Sequence, residues 1–165
     1  MAARRKVFFS FYYRLDAWRV QQVIKMGKLE GQPLLTANQW EEVKRGGDAA
    51  IRRWIATQMR GKSCLVVLIG ARTARRPWVD YEIEKAWRDG KGVVGVYVHS
   101  LKNSRRNQAV RGANPFAHFD LEGKKFSSVV KTYEPPRRSK DAYAYIERNL
   151  PAMVEEAIKI RKRYS

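Results

Sequence analysis

The sequence predicts a single α/β domain built on a central parallel sheet, with helices packed on both faces. Three observations carry that prediction. Cys64-Leu65-Val66-Val67-Leu68-Ile69 and Val93-Val94-Gly95-Val96-Tyr97-Val98 are continuous apolar runs bounded by turn residues, the pattern of strands buried on both sides. Segments with apolar residues at helical spacing alternate with such runs, which is the order of a parallel sheet. The chain has 165 residues, 44% hydrophobic and 12% aromatic, enough for one domain with a core and too few for two large ones.

Taken in order, Val7-Phe8-Phe9-Ser10-Phe11-Tyr12 is rich in β-formers and reads as the first strand. Asp16 is placed to cap a helix from Ala17 to about Met26, ended near Gly27. Pro33-Leu34-Leu35-Thr36 reads as a short second strand, and the polar stretch from Ala37 to Gly47 as a loop. Asp48 caps a helix whose Ala50, Ile51, Trp54, Ile55 and Met59 recur at helical spacing, with Gly61 as the stop. After the strand at 64–69, Pro77 opens a helix from Trp78 to Arg88 that Gly90 ends. Beyond the strand at 93–98 the pattern weakens, and Gly112, Pro115 and Pro135-Pro136 interrupt it; Phe126 to Tyr133 has room for one more strand. Asp141 opens a final amphipathic helix, which Pro151 is expected to kink or divide. The expected organisation is one domain over 1–165: a core at about 6–100, a variable loop at about 101–140 and a C-terminal helix at about 141–163. Flavodoxin-like strand order is the natural arrangement. Ligands of such sheets bind outside the carboxyl ends of the strands, here Ser10 to Tyr13, Thr36 onward, Ile69-Gly70-Ala71 and His99-Ser100.

Lys and Arg number 34 against 16 Asp and Glu, a net charge of +18 that attracts polyanions. The basic residues are spread evenly, with short clusters at Arg4-Arg5-Lys6, Arg105-Arg106, Arg137-Arg138 and Arg161-Lys162-Arg163. Charge alone therefore fits a solvated surface better than a dedicated nucleic-acid face. The single cysteine, Cys64, excludes an internal disulfide, and with His99 and His118 it leaves too few ligands for a zinc site. The apolar run from Val7 to Tyr13, broken by Ser10, is too short for a signal-peptide core or a membrane span, so a cytoplasmic protein with no membrane partner is expected. Neither phosphate-cradling loop, G-x-x-x-x-G-K-[ST] or G-x-G-x-x-G, is present, nor is a G-x-S-x-G elbow.

The acids are more informative than the bases. None lies between Asp48 and Asp80, and then Asp80, Glu82, Glu84 and Asp89 fall within ten residues. At about 100° per residue, Val79, Ile83, Ala86 and Trp87 form an apolar stripe, and Asp80 and Glu84 turn away from it. Glu82 falls on the edge of that stripe, about one turn after Trp78. Such a carboxyl is half-buried near the strand ends, where desolvation raises its pKa or neighbouring cations hold it ionised. The plainer alternative is a solvated acid paired with Arg75 or Lys85. Ser10-Phe11-Tyr12-Tyr13 sets rings and a hydroxyl at the mouth of the first strand, suited to stacking on a base or nicotinamide ring, or in the case of Phe9 and Phe11 to core packing. Arg19 and Trp18 either face a phosphate or cover the sheet.

Together these residues resemble bacterial TIR-like domains. Phe8-Phe9-Ser10-Phe11-Tyr12-Tyr13 with Asp16 and Arg19 looks like their opening. Trp40-Glu41-Glu42 is similar to a segment of the bacterial branch, and Cys64 to Gly70 followed by Thr73, Arg76 and Trp78-Val79-Asp80-Tyr81-Glu82-Ile83 looks like the third strand and catalytic helix. Gly112-Ala113-Asn114-Pro115-Phe116 looks like a later motif. Within the branch the resemblance is to the TIR-like subunit of Thoeris anti-phage defence systems, over roughly residues 6–160. It implies NAD as substrate, with no cofactor and no metal, and Glu82, four residues after Trp78, as the catalytic acid. Ser10, Phe11, Tyr12, Trp78 and Arg19 are the expected substrate-binding residues. Arg76 stands where plant members often have a serine. The implied activity is cleavage of the nicotinamide–ribose bond to an ADP-ribose-derived, cyclic signalling nucleotide that activates a separate effector protein. A phage-derived trigger and assembly into a homo-oligomer are further implied partners, with Ser10, Tyr12, Thr73 and Arg76 as the few polar groups near Glu82. A non-catalytic TIR-type scaffold and a basic nucleic-acid-binding protein are the alternatives.

Overall fold

The computed structural model describes residues 3–164. A four-stranded parallel sheet runs in the order β1 (Val7–Ser10), β2 (Cys64–Ile69), β3 (Gly92–Tyr97), β6 (Thr132–Tyr133). The residues between them form helices α1 (Tyr13–Lys25), α2 (Ala37–Arg45), α3 (Gly47–Met59) and α4 (Pro77–Arg88), and α5 (Ser139–Lys162) closes the chain. Every residue of β1, β2 and β3 is buried, as continuous apolar runs require. Strand alternation sends Val7, Phe9, Val66, Leu68 and Val96 to one face, against α1 and α5, and Phe8, Leu65, Val67 and Ile69 to the other, against α3 and α4. The domain is thus a helix–sheet–helix layering around two apolar cores.

Strands β2 and β3 and helix α4 match the expected segments to within a residue. The second strand does not form. Its place beside β1 is taken by a single parallel bridge between Lys6 and Glu30, with Val7 N donating to Glu30 O at 2.8 Å and Glu30 N to Arg5 O at 2.9 Å. One residue past Gly31, the Gln32 side chain takes over: its Nε2 donates to Phe9 O at 2.8 Å and its Oε1 accepts from Phe9 N at 2.9 Å. A side-chain amide therefore satisfies the edge of β1, and Pro33-Leu34-Leu35 leaves the sheet. With the Glu30 bridge at one edge, the order is flavodoxin-like.

The stretch expected to be a loop at 37–47 is instead α2. Thr36 caps it, accepting from Gln39 N at 3.2 Å while the Gln39 side chain accepts from Thr36 N at 2.8 Å. Helix α1 begins four residues earlier than expected, with Tyr12 rather than Asp16 at its cap. Asp16 is fully buried inside the first turn and pairs with Arg19 at 3.2 Å. Likewise Asp48 lies within α3, which starts at Gly47. Phe126–Ser128 is a 3-10 turn, and only Thr132–Tyr133 of that stretch joins the sheet, as β6. Pro151 does not divide the last helix, which runs unbroken for 24 residues.

The stretch from 101 to 140 is ordered by packing. It holds a small hairpin, β4 (Asp120–Leu121) with β5 (Lys124–Lys125), and buries Phe116, Phe126 and Val130 against α4 and β3. Gly112 explains how it lies so close. A Cβ there would meet Gly70 O at 2.1 Å, so only glycine lets this segment cross the carboxyl end of β2. The crossing covers β2 and leaves the carboxyl end of β1 as the open mouth of the sheet.

Candidate active site

Ser10 is the last residue of β1, and by alternation it shares the α4-facing side with Phe8. Pro77, at the first position of α4, fixes where that helix starts, and Glu82 then lies on its buried side with Val79, Ile83 and Ala86. The two meet: Ser10 Oγ donates to Glu82 Oε1 at 2.6 Å, and Glu82 is 8% exposed. Burial pushes its carboxyl up to about 8, against the smaller lowering effect of the Ser10 hydrogen bond. In the free protein at neutral pH the group is therefore mainly protonated. Glu82 pairs with neither Arg75 nor Lys85; Lys85 reaches Asp89 instead at 2.9 Å.

Glu82 is the one acid lining an inner cavity of about 90 Å³, whose other walls include Phe8, Phe11, Trp40, Trp54 and Trp78. Trp40 and Trp54 meet edge to face at 5.9 Å, as do Phe8 and Trp54 at 6.1 Å. Phe11, Tyr13, Trp40, Trp78 and Val79 also line an outer cleft of about 770 Å³, which falls in the range of small-molecule sites. Tyr12, Arg14, Lys44 and Arg76 bring polar and positive groups to it, with Glu41 paired to Lys44 at 2.7 Å. The Arg76 guanidinium lies 3.8 Å above the Tyr12 ring and donates from Nε to Arg72 O at 2.9 Å. The arrangement is an aromatic slot ending in a buried carboxyl, with cations at its mouth.

Of the expected site residues, Phe11, Tyr12, Trp78 and Glu82 line this double cleft, and Ser10 lies buried behind it, joined to it by its hydrogen bond to Glu82. Arg19 does not line it. Its Nε donates to Leu101 O at 2.8 Å and its guanidinium nitrogens to Asn107 O at 3.0 Å and Asp16 Oδ1 at 3.2 Å. It ties 101–107 to α1, a role outside both sequence readings of it. Thr73 is fully buried and accepts from Gly70 N at 2.8 Å, which shapes the turn after β2. His118 pairs with Asp80 at 3.0 Å on the outward side of α4. The sequence reading missed Phe8, Trp54 and Gln32. Phe8 was legible from its parity with Ser10, whereas Gln32 carries no sequence signal for pairing a strand edge.

The sequence profile of the family described as Thoeris protein ThsB, TIR-like domain, matches residues 8–103, which contain all of β1 but its first residue, Ser10 included, and the whole of α4. The chain belongs to the ThsB TIR-like family. A Bacillus cereus (strain MSX-D12) member, named "Putative cyclic ADP-D-ribose synthase ThsB1", is 33% identical over 133 residues, covering 77% of this chain and 67% of that protein. Among solved structures, Clostridium botulinum CMP N-glycosidase, BcmB, aligns with a TM-score of 0.48 at 11% identity over 87% of this chain and 98% of that one. As a ThsB TIR-like protein, the chain places its acidic helix against the open end of β1. Among the described residues no helix is long and apolar enough to cross a membrane, and no cluster of three or more His, Cys, Asp or Glu is placed to hold a metal ion.

Proposed function

We propose that this protein cleaves NAD at the nicotinamide–ribose bond and forms an ADP-ribose-derived, cyclic nucleotide that activates a separate effector in anti-phage defence. The observation that carries the reading is the buried Glu82 carboxyl, hydrogen-bonded by Ser10 at the end of an aromatic slot. When the bond breaks, its electron pair returns to the pyridinium nitrogen and nicotinamide leaves neutral, so no proton donor is required. Positive charge moves onto the ribose. A carboxylate fixed beside that carbon stabilises the charge as it develops. Glu82 suits the task because its ionisation is conditional: a cationic pyridinium entering the slot favours the charged form and draws the pKa down. Trp78 and Phe11 supply faces on which the ring stacks. Arg14 and Arg76, with Lys44 paired to Glu41 beside them, line the outer cleft and suit the charge of a pyrophosphate. The apolar walls disfavour water near the ribose, which leaves a hydroxyl or nitrogen of the same molecule as the better acceptor and a ring as the product. The name of the B. cereus relative supports that choice. Mass spectrometry of purified protein incubated with NAD tests the reading. Free nicotinamide with a cyclic ADP-ribose isomer is expected, and intact NAD under every activating condition tried would reject it.

A further inference from the structure

The catalytic cleft uses few of the cations that make up a charge of +18, and one concentration of them lies at the opposite end of the molecule. Strand β1 is four residues long, so its two ends are about 10 Å apart. Its carboxyl end carries Ser10, and its amino end opens on a cleft of about 640 Å³ lined by Arg4, Arg5, Lys6, Lys28, Ser63 and Glu155. We propose that this cleft is a second site, for a multiply charged phosphate anion distinct from the NAD bound near Glu82.

Three observations support the assignment. Basic residues from two separate stretches of the chain converge here. Arg4-Arg5-Lys6 precedes β1, and Lys28 lies just beyond α1; all four line the cleft. Next, Glu155 does not neutralise the cleft. Both of its oxygens are held by Arg5, from Nε at 2.7 Å and the second guanidinium nitrogen at 3.0 Å, so the pair is bidentate and Arg4, Lys6 and Lys28 remain in excess. Finally, the side chains of Arg4, Lys6 and Lys28 are exposed and meet in a concavity. Like charges gathered this way repel one another and do not stabilise the fold. An anion entering between them reverses that repulsion. Phosphate fits better than carboxylate, because two or more charges are needed to match the excess and guanidinium forks suit its oxygens. Ser63 adds a hydroxyl to the same wall. The volume is that of a small-molecule site, which favours a compact ligand such as a nucleotide polyphosphate; the terminal phosphates of a nucleic-acid strand share the chemistry.

The test is calorimetric titration of the full chain with inorganic tripolyphosphate and, separately, with a short single-stranded oligonucleotide. Three proteins are compared: wild type, Arg4→Ala/Lys28→Ala, and Arg52→Ala/Arg53→Ala. The last pair removes the same charge from exposed positions on α3. Wild type is expected to bind one tripolyphosphate, with affinity lowered about tenfold or more by the cleft variant and within about twofold by the α3 variant. Lys28→Glu alone, a single exposed change, should give a similar loss. Oligonucleotide binding with the same dependence assigns the ligand to a nucleic-acid terminus, and its absence to a free phosphorylated molecule. No saturable tripolyphosphate binding, or equal losses in the cleft and α3 variants, overturns the proposal. Nicotinamide release is measured in parallel and reads the NAD assignment independently of this one.

Discussion

Replacing Glu82 with Gln should make the protein more stable in alkaline solution while removing its chemistry. The folded carboxyl titrates at about 8 and the unfolded one near 4.5, because burial opposes the charge. Between those values the folded state holds a proton that the unfolded state has lost, so unfolding becomes easier as pH rises. The penalty is absent below about pH 4.5, grows through the window and levels off above about pH 8. At 1.36 kcal/mol per unit, wild type should lose about 4 kcal/mol of stability between about pH 5 and pH 8.5 through this group alone. Gln keeps the shape and still accepts from Ser10, but carries no titrating proton. Urea unfolding of both proteins at the two pH values therefore gives a double difference of about 4 kcal/mol, with Gln the more stable at the alkaline end. Stability curves that run parallel with pH would refute the reasoning and place Glu82 in contact with solvent or a cation.

Three further outcomes follow from the same structure. Ser10→Ala removes the hydrogen bond that lowers the Glu82 pKa, so the pH profile of NAD turnover should shift alkaline by about one unit; an unmoved profile would separate Ser10 from the acid. Arg19→Ala leaves Asp16 buried without its cation and should cost about 3–5 kcal/mol in denaturant unfolding, against under about 1 kcal/mol if the pair were incidental. Gly112→Ala sets a Cβ 2.1 Å from Gly70 O and should lift the segment over β2, costing about 2 kcal/mol or more and exposing the segment around 112 to limited proteolysis; wild-type resistance would contradict it.

The parts of the fold that a sequence shows best are those whose signal is local. Residues 64–69 and 92–97 are buried on both faces, so a bare apolar run identifies them, and Pro77 with Gly90 brackets α4. Glu82 was legible because helical angle alone puts it at the edge of the buried stripe. The resemblance put Ser10 among the polar groups near it, but that Ser10 alone among the described residues hydrogen-bonds it was not legible, since this depends on how far β1 reaches beside α4. Helix α2 was missed because it buries no residue fully and rests on its capping box, where Thr36 and Gln39 satisfy each other. The second strand was over-read for a different reason: an apolar triplet, Pro33-Leu34-Leu35, lines a cavity while Gln32 does the pairing. Asp16 looked like a cap because an acid before an apolar helix usually is one; here it is inside the helix and matched by a buried arginine. Pro151 leaves its helix intact at an exposed position, where solvent reaches the backbone around it.

The account rests on a single carboxyl acting from the inner slot, and two of the three acids of α4 separate that claim from any general effect of charge. Glu84 lies on the exposed side of the same helix, two residues from Glu82. The decisive measurement is the rate of nicotinamide release from NAD by wild type, Glu82→Gln and Glu84→Gln under one activating condition, with folding verified for each. The account predicts a loss of at least about a hundredfold for Glu82→Gln and a rate within about twofold of wild type for Glu84→Gln. A Glu82→Gln protein that turns over NAD as wild type does, or equal losses in the two variants, would contradict it.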